Sequence, residues 1–323
     1  MNLIVTGGSG FIGSNFIDYW STKHPEDNIT NIDKMTYASN KWFNRNVEGS
    51  GHYRFRNVDI SVKGSLDGLM DGADCVVNFA AESHVDRSIA DPINFVNSNI
   101  LGIFNLLEYT RKYDIRLHQV STDEVYGSLR LEDEGKFTEE SCYNPKNPYS
   151  ATKASADLLI RSYVNTYGLN ATISNCGNNF GPHQHPEKLI PKTILAAISG
   201  NRIPIYGDGK QVRDWVYVED HVSAIDAIIA RGKPGKTYLI GADNEISNMR
   251  MVKKILGLLN ADPGLIEHVK DRPGHDVRYS LSAAKIKSDL GWFPKYSLDD
   301  SIRRTIMHYT DNYEIYRNIA LKQ

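Results

Sequence analysis

The first 33 residues constrain the fold more than any other stretch. Apolar and β-branched side chains from Met1 to Thr6 read as a short strand that stops at Gly7-Gly8-Ser9-Gly10-Phe11-Ile12-Gly13, after which helical periodicity runs to about Ser21. Gly8, Gly10 and Gly13 fit G-x-G-x-x-G. Glycines at this spacing allow a tight turn, let the backbone approach a pyrophosphate and seat a helix on a sheet, while free N–H groups at the helix start face the anion. Alone, the pattern is as easily a structural turn. Here it follows a strand and opens a helix, and a second strand ends in Asp33, twenty residues after Gly13. A carboxylate there accepts from both ribose hydroxyls and repels a 2′-phosphate, which selects NAD over NADP. The expected class is α/β: a doubly wound, parallel Rossmann-type sheet holding NAD, with Gly7, Gly10, Phe11, Ile12, Gly13 and Asp33 at the cofactor.

The rest of the chain keeps the strand–helix alternation such a sheet requires. Strands are expected at 53–57 (ending near Asp59), at 75–79 (ending in Ala80-Ala81) and at 117–121, with helices at 65–70, from Asp91-Pro92 to about Tyr113, and from Pro148. The small pair at 80 and 81 leaves room for a cofactor across the strand end. After a strand at 171–175 the composition shifts to Gly, Asn, Pro and His. Residues 1–176 are therefore expected to form the NAD-binding domain, and 177–323 a smaller, mostly C-terminal α/β domain for substrate, with some segments crossing back to the sheet. Its expected elements are helices at 189–199, 218–230, 249–259 and 297–313, and strands at 204–207 and 237–240.

With 323 residues, 41% of them hydrophobic, the chain can bury a large core. A net charge of -2 argues against a general nucleic-acid partner. No apolar run approaches the roughly 18 residues of a membrane helix, and the apolar start ends at once in Thr6-Gly7-Gly8, so no signal peptide is visible and a cytoplasmic, membrane-free protein is expected. Three widely spaced cysteines, Cys75, Cys142 and Cys176, suit reduced, buried thiols better than disulfides or zinc.

The chemistry centres on Ser121-Thr122-Asp123-Glu124-Val125-Tyr126-Gly127, past the strand at 117–121. Adjacent strand residues point to opposite faces, so Asp123 and Glu124 can share a pocket only where the strand has stopped. Neighbouring carboxylates repel, which raises the proton affinity of one and sets an acid beside a base; a solvated acidic turn is the bland alternative. Tyr149 and Lys153 are four apart on the helix from Pro148, so the ammonium can stand below the phenol, stabilise phenolate and make Tyr149 a base. Arg213 and Arg272 are candidates for a diphosphate clamp. His183, His185 and Glu187 lack the ligand spacing of a structural metal site and read as loop residues near the ligand; no metal is expected. His84 either touches substrate or caps the next helix.

These residues resemble the extended short-chain dehydrogenase/reductase family and, within it, the dTDP-glucose 4,6-dehydratases. The likeness spans most of the chain. It runs through the glycine loop, Ala80-Ala81-Glu82-Ser83-His84-Val85-Asp86-Arg87-Ser88, the 121–127 stretch, Pro148-Tyr149-Ser150-Ala151-Thr152-Lys153, Pro186-Glu187-Lys188-Leu189-Ile190-Pro191, Arg213-Asp214-Trp215 and Arg272-Pro273-Gly274-His275. The glycine loop and Tyr/Lys pair mark the superfamily; Thr122-Asp123-Glu124 is the specific part. The resemblance implies a redox-neutral lyase in which Tyr149, helped by Lys153 and Thr122, takes the C4 hydroxyl proton, Glu124 removes the C5 proton and protonated Asp123 donates to the departing C6 hydroxyl. It also implies NAD contacts at Lys34, Asp59, Ile60, Ala80, Ala81, Ser83, Asn99, Tyr149, Lys153 and Asn179. Substrate contacts are implied at His84, Thr122, Asn178, Glu187, Lys188, Leu189, Pro204, Tyr206, Arg213, Asn248, Arg272 and His275. A homodimer through the helices near Asp91 and Pro148 is a further implication. The alternatives are a UDP-glucose or other nucleotide-hexose 4,6-dehydratase, a UDP-sugar 4-epimerase and a non-catalytic NAD-binding protein. The segment at His183 and His185, where many relatives carry aromatics, departs from the family pattern.

Overall fold

A computed structural model describes residues 1–271 and 274–321. Seven strands form one parallel sheet in the order β10-β6-β5-β4-β1-β2-β3: β1 (Asn2–Thr6), β2 (Asn28–Asp33), β3 (Tyr53–Asn57), β4 (Cys75–Asn78), β5 (Arg116–Thr122), β6 (Ala171–Cys176) and β10 (Thr237–Ile240). Strand order reverses between β1 and β4, the switch point at which open α/β sheets bind ligands beyond the strand ends.

Both faces of the sheet are covered, and β1 shows why. Its successive apolar side chains point opposite ways. Leu3 and Val5 join Phe16, Ile17 and Trp20 of α1 (Phe11–Lys23) on one face. On the other, Ile4 joins Ile103, Leu106 and Leu107 of α4 (Gly102–Tyr113) and Ile160 of α5 (Pro148–Tyr167). A strand buried on both faces reads as a continuous apolar run, as Leu3-Ile4-Val5 does.

The long helix expected from Pro92 opens with a short helical segment, α2 (Val85–Ala90), ahead of it. It then runs as α3 (Ile93–Phe95), a π-helical stretch over Val96–Leu101 and α4 (Gly102–Tyr113). The helix expected at 65–70 does not form. Leu66 and Met70 are fully buried, so the apolar spacing was reporting burial, but Gly64, Gly68 and Gly72 take φ of 81°, 71° and 72°, and the segment is a series of turns.

Beyond β6 lie β7 (Asn178–Phe180), α6 (Leu189–Ser199), β8 (Ile203–Tyr206), β9 (Val212–Tyr217) and α7 (Val218–Arg231), after which β10 returns to pair with β6. β11 (Glu245–Ser247), α8 (Asn248–Leu259), β12 (Ile266–Val269), α9 (Ala284–Leu290), α10 (Leu298–Asp311) and α11 (Tyr313–Ala320) complete the chain. The expected helix at 297–313 thus gives way at Asn312 to a second helix. Two small sheets, β11-β9-β7 and β12-β8, lie outside the main one. Cys75 and Cys176 are buried free thiols; Cys142, against expectation, is exposed, because the polar loop that carries it runs over the surface. Among the described residues, no helix is long and apolar enough to cross a membrane.

Candidate active site

A cleft enclosing about 1570 Å³ of empty space, its open mouth included, lies at the carboxyl ends of β1, β2, β4, β5 and β6. The glycine loop forms one wall. Gly7 has φ 72°, and a Cβ there would lie 2.6 Å from the backbone nitrogen of Ala80; a Cβ on Gly13 would lie 2.4 Å from the Gly7 carbonyl oxygen. Only glycine allows the β1 turn, the β4 end and the start of α1 to meet this closely. No side chain caps α1 at Gly10, which leaves its amino end to an anion. Asp33 accepts from the Ser9 N–H at 3.0 Å, the Met35 N–H at 2.8 Å and the Ser39 hydroxyl at 2.8 Å, and so ties the glycine loop to the β2 end.

Of the expected cofactor residues, Gly7, Gly10, Phe11, Ile12, Gly13, Asp33, Lys34, Asp59, Ile60, Ala80, Ala81, Ser83, Tyr149, Lys153 and Asn179 line this cleft. Asn99 does not. It sits behind the wall, accepting from the Glu82 N–H at 2.9 Å and donating to the Glu82 carbonyl at 3.0 Å and the Thr152 hydroxyl at 2.9 Å. Its neighbour Ser98 lines the cleft instead, with Lys34 donating to its hydroxyl at 2.8 Å. The glycine cradle, the small residues at 80 and 81, and three buried acceptors without partners along the wall (Asp123 Oδ2, Asn178 Oδ1 and Gln184 Oε1) fit a dinucleotide carrying a second polar ligand.

All five expected catalytic residues line the same cleft. β5 ends at Thr122, whose side chain caps a 3₁₀ turn over Asp123–Tyr126, so the strand stops where both carboxylates need it to. Asp123 is 2% exposed, and burial, followed by the charge of Glu124, raises its proton affinity well above the usual carboxylate range. Glu124 accepts from Asn147 Nδ2 at 3.4 Å, and Asn147 caps α5. Tyr149 follows in the first turn of α5, packed with Val85 and Phe95.

Both members of the Tyr/Lys pair are buried, and each has further partners. Lys153 donates to the Val120 carbonyl at 2.7 Å; burial lowers its pKa, and Asp157, one turn further along α5, is the first charge opposing that fall. Burial and then the charge of Glu124 drive the Tyr149 pKa well up, and a hydrogen bond with the Thr122 hydroxyl opposes the rise. Asp157 is fully buried. Its Oδ2 accepts from Ser121 at 2.8 Å, Tyr143 at 3.0 Å and Asn175 at 3.2 Å. Sequence reasoning missed Asp157, although Tyr149, Lys153 and Asp157 follow one another at the four-residue spacing of a single helix face. It also missed Cys176 and Gln184, both on the cleft wall.

Of the expected substrate residues, Thr122, Asn178, Glu187 and Lys188 line the cleft. His84 caps α2, one of the two alternatives posed for it, and its ring reaches Glu187 Oε2 at 3.4 Å. Leu189 opens α6 and packs on the core. Pro204, Tyr206, Arg213, Asn248 and His275 are off this wall. Tyr206 lies 3.3 Å from Asp86 and meets the His275 ring edge-on at 6.1 Å, while His275 pairs with Asp271 at 2.7 Å. Asn248 begins α8, its N–H donating to the Gln211 carbonyl at 2.9 Å. Arg213 is 4% exposed and donates to the Val212, Val277 and Asp276 carbonyls with Tyr279 stacked beneath it. Arg272 lies outside the described residues. His183 turns into the core, stacked on Phe43 at 4.5 Å with Ser14 at 2.9 Å, and burial lowers its pKa to about 3; His185 stays on the cleft wall beside Tyr37.

The sequence model described as GDP-mannose 4,6 dehydratase matches residues 4–305. The dTDP-glucose 4,6-dehydratase of Mycobacterium tuberculosis (strain ATCC 25618 / H37Rv) is 45% identical over 313 residues, covering 97% of this chain and 94% of that protein. The dTDP-glucose 4,6-dehydratase of Streptomyces venezuelae, solved with NAD and TYD bound, superposes with a TM-score of 0.95 at 42% identity, covering 99% of this chain and 100% of that one. The UDP-glucose 4-epimerase of Thermotoga maritima, solved with UDP-glucose, keeps a TM-score of 0.90 over 97% of this chain and 100% of its own, but at 26% identity. The backbone is thus common to both groups, whereas the sequence sides with the dehydratases: the chain belongs to the dTDP-glucose 4,6-dehydratase family of extended short-chain dehydrogenase/reductases.

Proposed function

We propose that this protein converts dTDP-glucose into dTDP-4-keto-6-deoxyglucose and water, with NAD as a cofactor regenerated in every turnover. The observation that carries the reading is the meeting of Thr122, Asp123, Glu124, Tyr149 and Lys153 in one cleft with the glycine loop. A C5–H of a sugar is not acidic until C4 is a ketone, so oxidation and elimination must share one site. NAD, when bound, supplies the two-electron acceptor that makes C4 a ketone and returns the electrons at C6.

Tyr149 takes the C4 hydroxyl proton, with Thr122 and Lys153 placed to hold the ionised phenol. Glu124 removes the C5 proton. Asp123, kept protonated by burial and by Glu124, donates to the C6 hydroxyl as it leaves. Asn178, Glu187 and Lys188 hold the nucleotide sugar, so that residues 1–176 mainly serve the cofactor and 177–323 mainly the substrate. The chain works as a homodimer through α3, the π-helical stretch, α4 and α5, where Ile93, Leu101, Phe104 and Leu158 are exposed apolar side chains. Its free thiols suit the reducing cytoplasm.

The test is turnover of dTDP-glucose beside UDP-glucose, CDP-glucose and UDP-N-acetylglucosamine, read by the alkali-induced absorbance of a 4-keto sugar. The signal is expected with dTDP-glucose first. Recovery of dTDP-galactose alone would make the protein an epimerase.

A further inference from the structure

Resting on the dehydration proposed above, proton conservation poses a requirement that the assigned roles leave unmet. In one turnover the C4 O–H bond breaks and its proton goes to Tyr149. The C5–H bond breaks toward Glu124, and the C6–O bond breaks as Asp123 protonates the leaving oxygen to water. When the electron pair returns as a new C6–H bond, the Glu124 proton goes back to C5. Because C4 remains a ketone, Tyr149 ends with one proton too many and Asp123 with one too few. All three groups concerned are secluded from solvent: Asp123 is 2%, Thr122 8% and Tyr149 9% exposed.

Thr122 lies between donor and acceptor. Its Oγ donates to Asp123 Oδ1 at 3.3 Å and accepts the Glu124 N–H at 3.3 Å. A hydroxyl has one proton and two lone pairs, so one lone pair is left for Tyr149, a hydrogen-bond partner of Thr122 on the same cleft wall. The other carboxyl oxygen, Asp123 Oδ2, is buried, unpartnered and on the cleft wall, where a departing hydroxyl can take its proton.

We infer that Thr122 is the relay that resets the site, passing its proton to Asp123 Oδ1 while taking one from the Tyr149 hydroxyl. The transfer breaks the Tyr149 O–H bond and forms the Asp123 O–H bond, and Thr122 ends as it began. A half-turn of the Asp123 carboxyl then presents the new proton to the next substrate. Thr122 therefore acts twice: it supports the phenol during oxidation and reconnects base to acid afterward.

The experiment is rapid-quench analysis of the NAD-containing enzyme with excess dTDP-glucose, comparing wild type with Thr122→Val, Thr122→Ala and Thr122→Ser. Thr122→Val and Thr122→Ala lack the relay oxygen and are expected to give a burst of about one product per site, followed by turnover roughly a hundredfold slower than that burst. Wild type and Thr122→Ser are expected to turn over with no burst. The relay is overturned if Thr122→Val and Thr122→Ala, whatever their absolute rate, make later turnovers as fast as the first. If Thr122→Val does not fold with NAD bound, Thr122→Ala decides by the same criterion. Absence of 4-keto product in wild type would instead defeat the dehydration on which the relay rests, so the two failures are separable.

Discussion

Replacing Asp157 with leucine tests the electrostatic support of Lys153. The substitution keeps the branched four-heavy-atom outline of the side chain but removes the charge, replaces two oxygens by bulkier methyl groups and leaves Ser121, Tyr143 and Asn175 with buried donors facing an apolar side chain. Three such donors and an uncompensated buried ammonium together cost about 4 kcal/mol. An unfolding entropy of about 2.1 cal/mol/K per residue over 323 residues is about 0.7 kcal/mol/K, so the apparent Tm of the NAD-bound enzyme should fall by about 6 °C. Lys153→Met together with Asp157→Leu removes both charges, and the pair should be about 2 kcal/mol, or about 3 °C, more stable than the sum of the single losses predicts. Calorimetry of the four proteins reads this cycle. A second readout is the pH profile: with Asp157→Asn the Lys153 pKa falls further below 10.5, so the alkaline limb of kcat moves to lower pH. Additive Tm changes and an unmoved alkaline limb would refute the coupling.

Other outcomes follow from the same geometry. Gly7→Ala puts a Cβ 2.6 Å from the Ala80 backbone nitrogen in a left-handed conformation, and should cost about 2 kcal/mol or more and weaken NAD retention on gel filtration. Burial raises the Asp214 pKa from 3.8 to about 6. The stability this confers is full below pH 3.8 and is lost as pH rises through 6, so the Tm of Asp214→Asn relative to wild type should improve by the equivalent of about 2 kcal/mol between pH 4 and 7. Tyr149→Phe should abolish C4 oxidation with NAD still bound; oxidation at the wild-type rate would remove Tyr149 from the chemistry.

Much of this was legible in the chain. The strand-glycine-helix opening and Asp33 specify a local geometry, and the end of β5 follows from two carboxylates that must face one way. What was illegible depends on contacts distant in sequence. Arg213 looks like a diphosphate arginine, yet it donates to carbonyls of Asp276 and Val277, which no local spacing reveals. His183 and His185 look alike in a polar loop, but Phe43 and Ser14 draw the first into the core while the second stays at the cleft. Apolar periodicity at 65–70 suggested a helix because burial and helicity leave the same trace, and positive-φ glycines decided for turns.

The central claim is that one site first oxidises the sugar and only then removes water. Asp123→Asn combined with Glu124→Gln keeps the shape of the site and NAD in place but takes away both proton transfers of the elimination. Mixed with dTDP-glucose, that variant should build up the near-ultraviolet absorbance of reduced nicotinamide while forming no 4-keto-6-deoxy product. Product at the wild-type rate, or no reduced cofactor in a variant that still binds NAD and sugar nucleotide, would contradict the account.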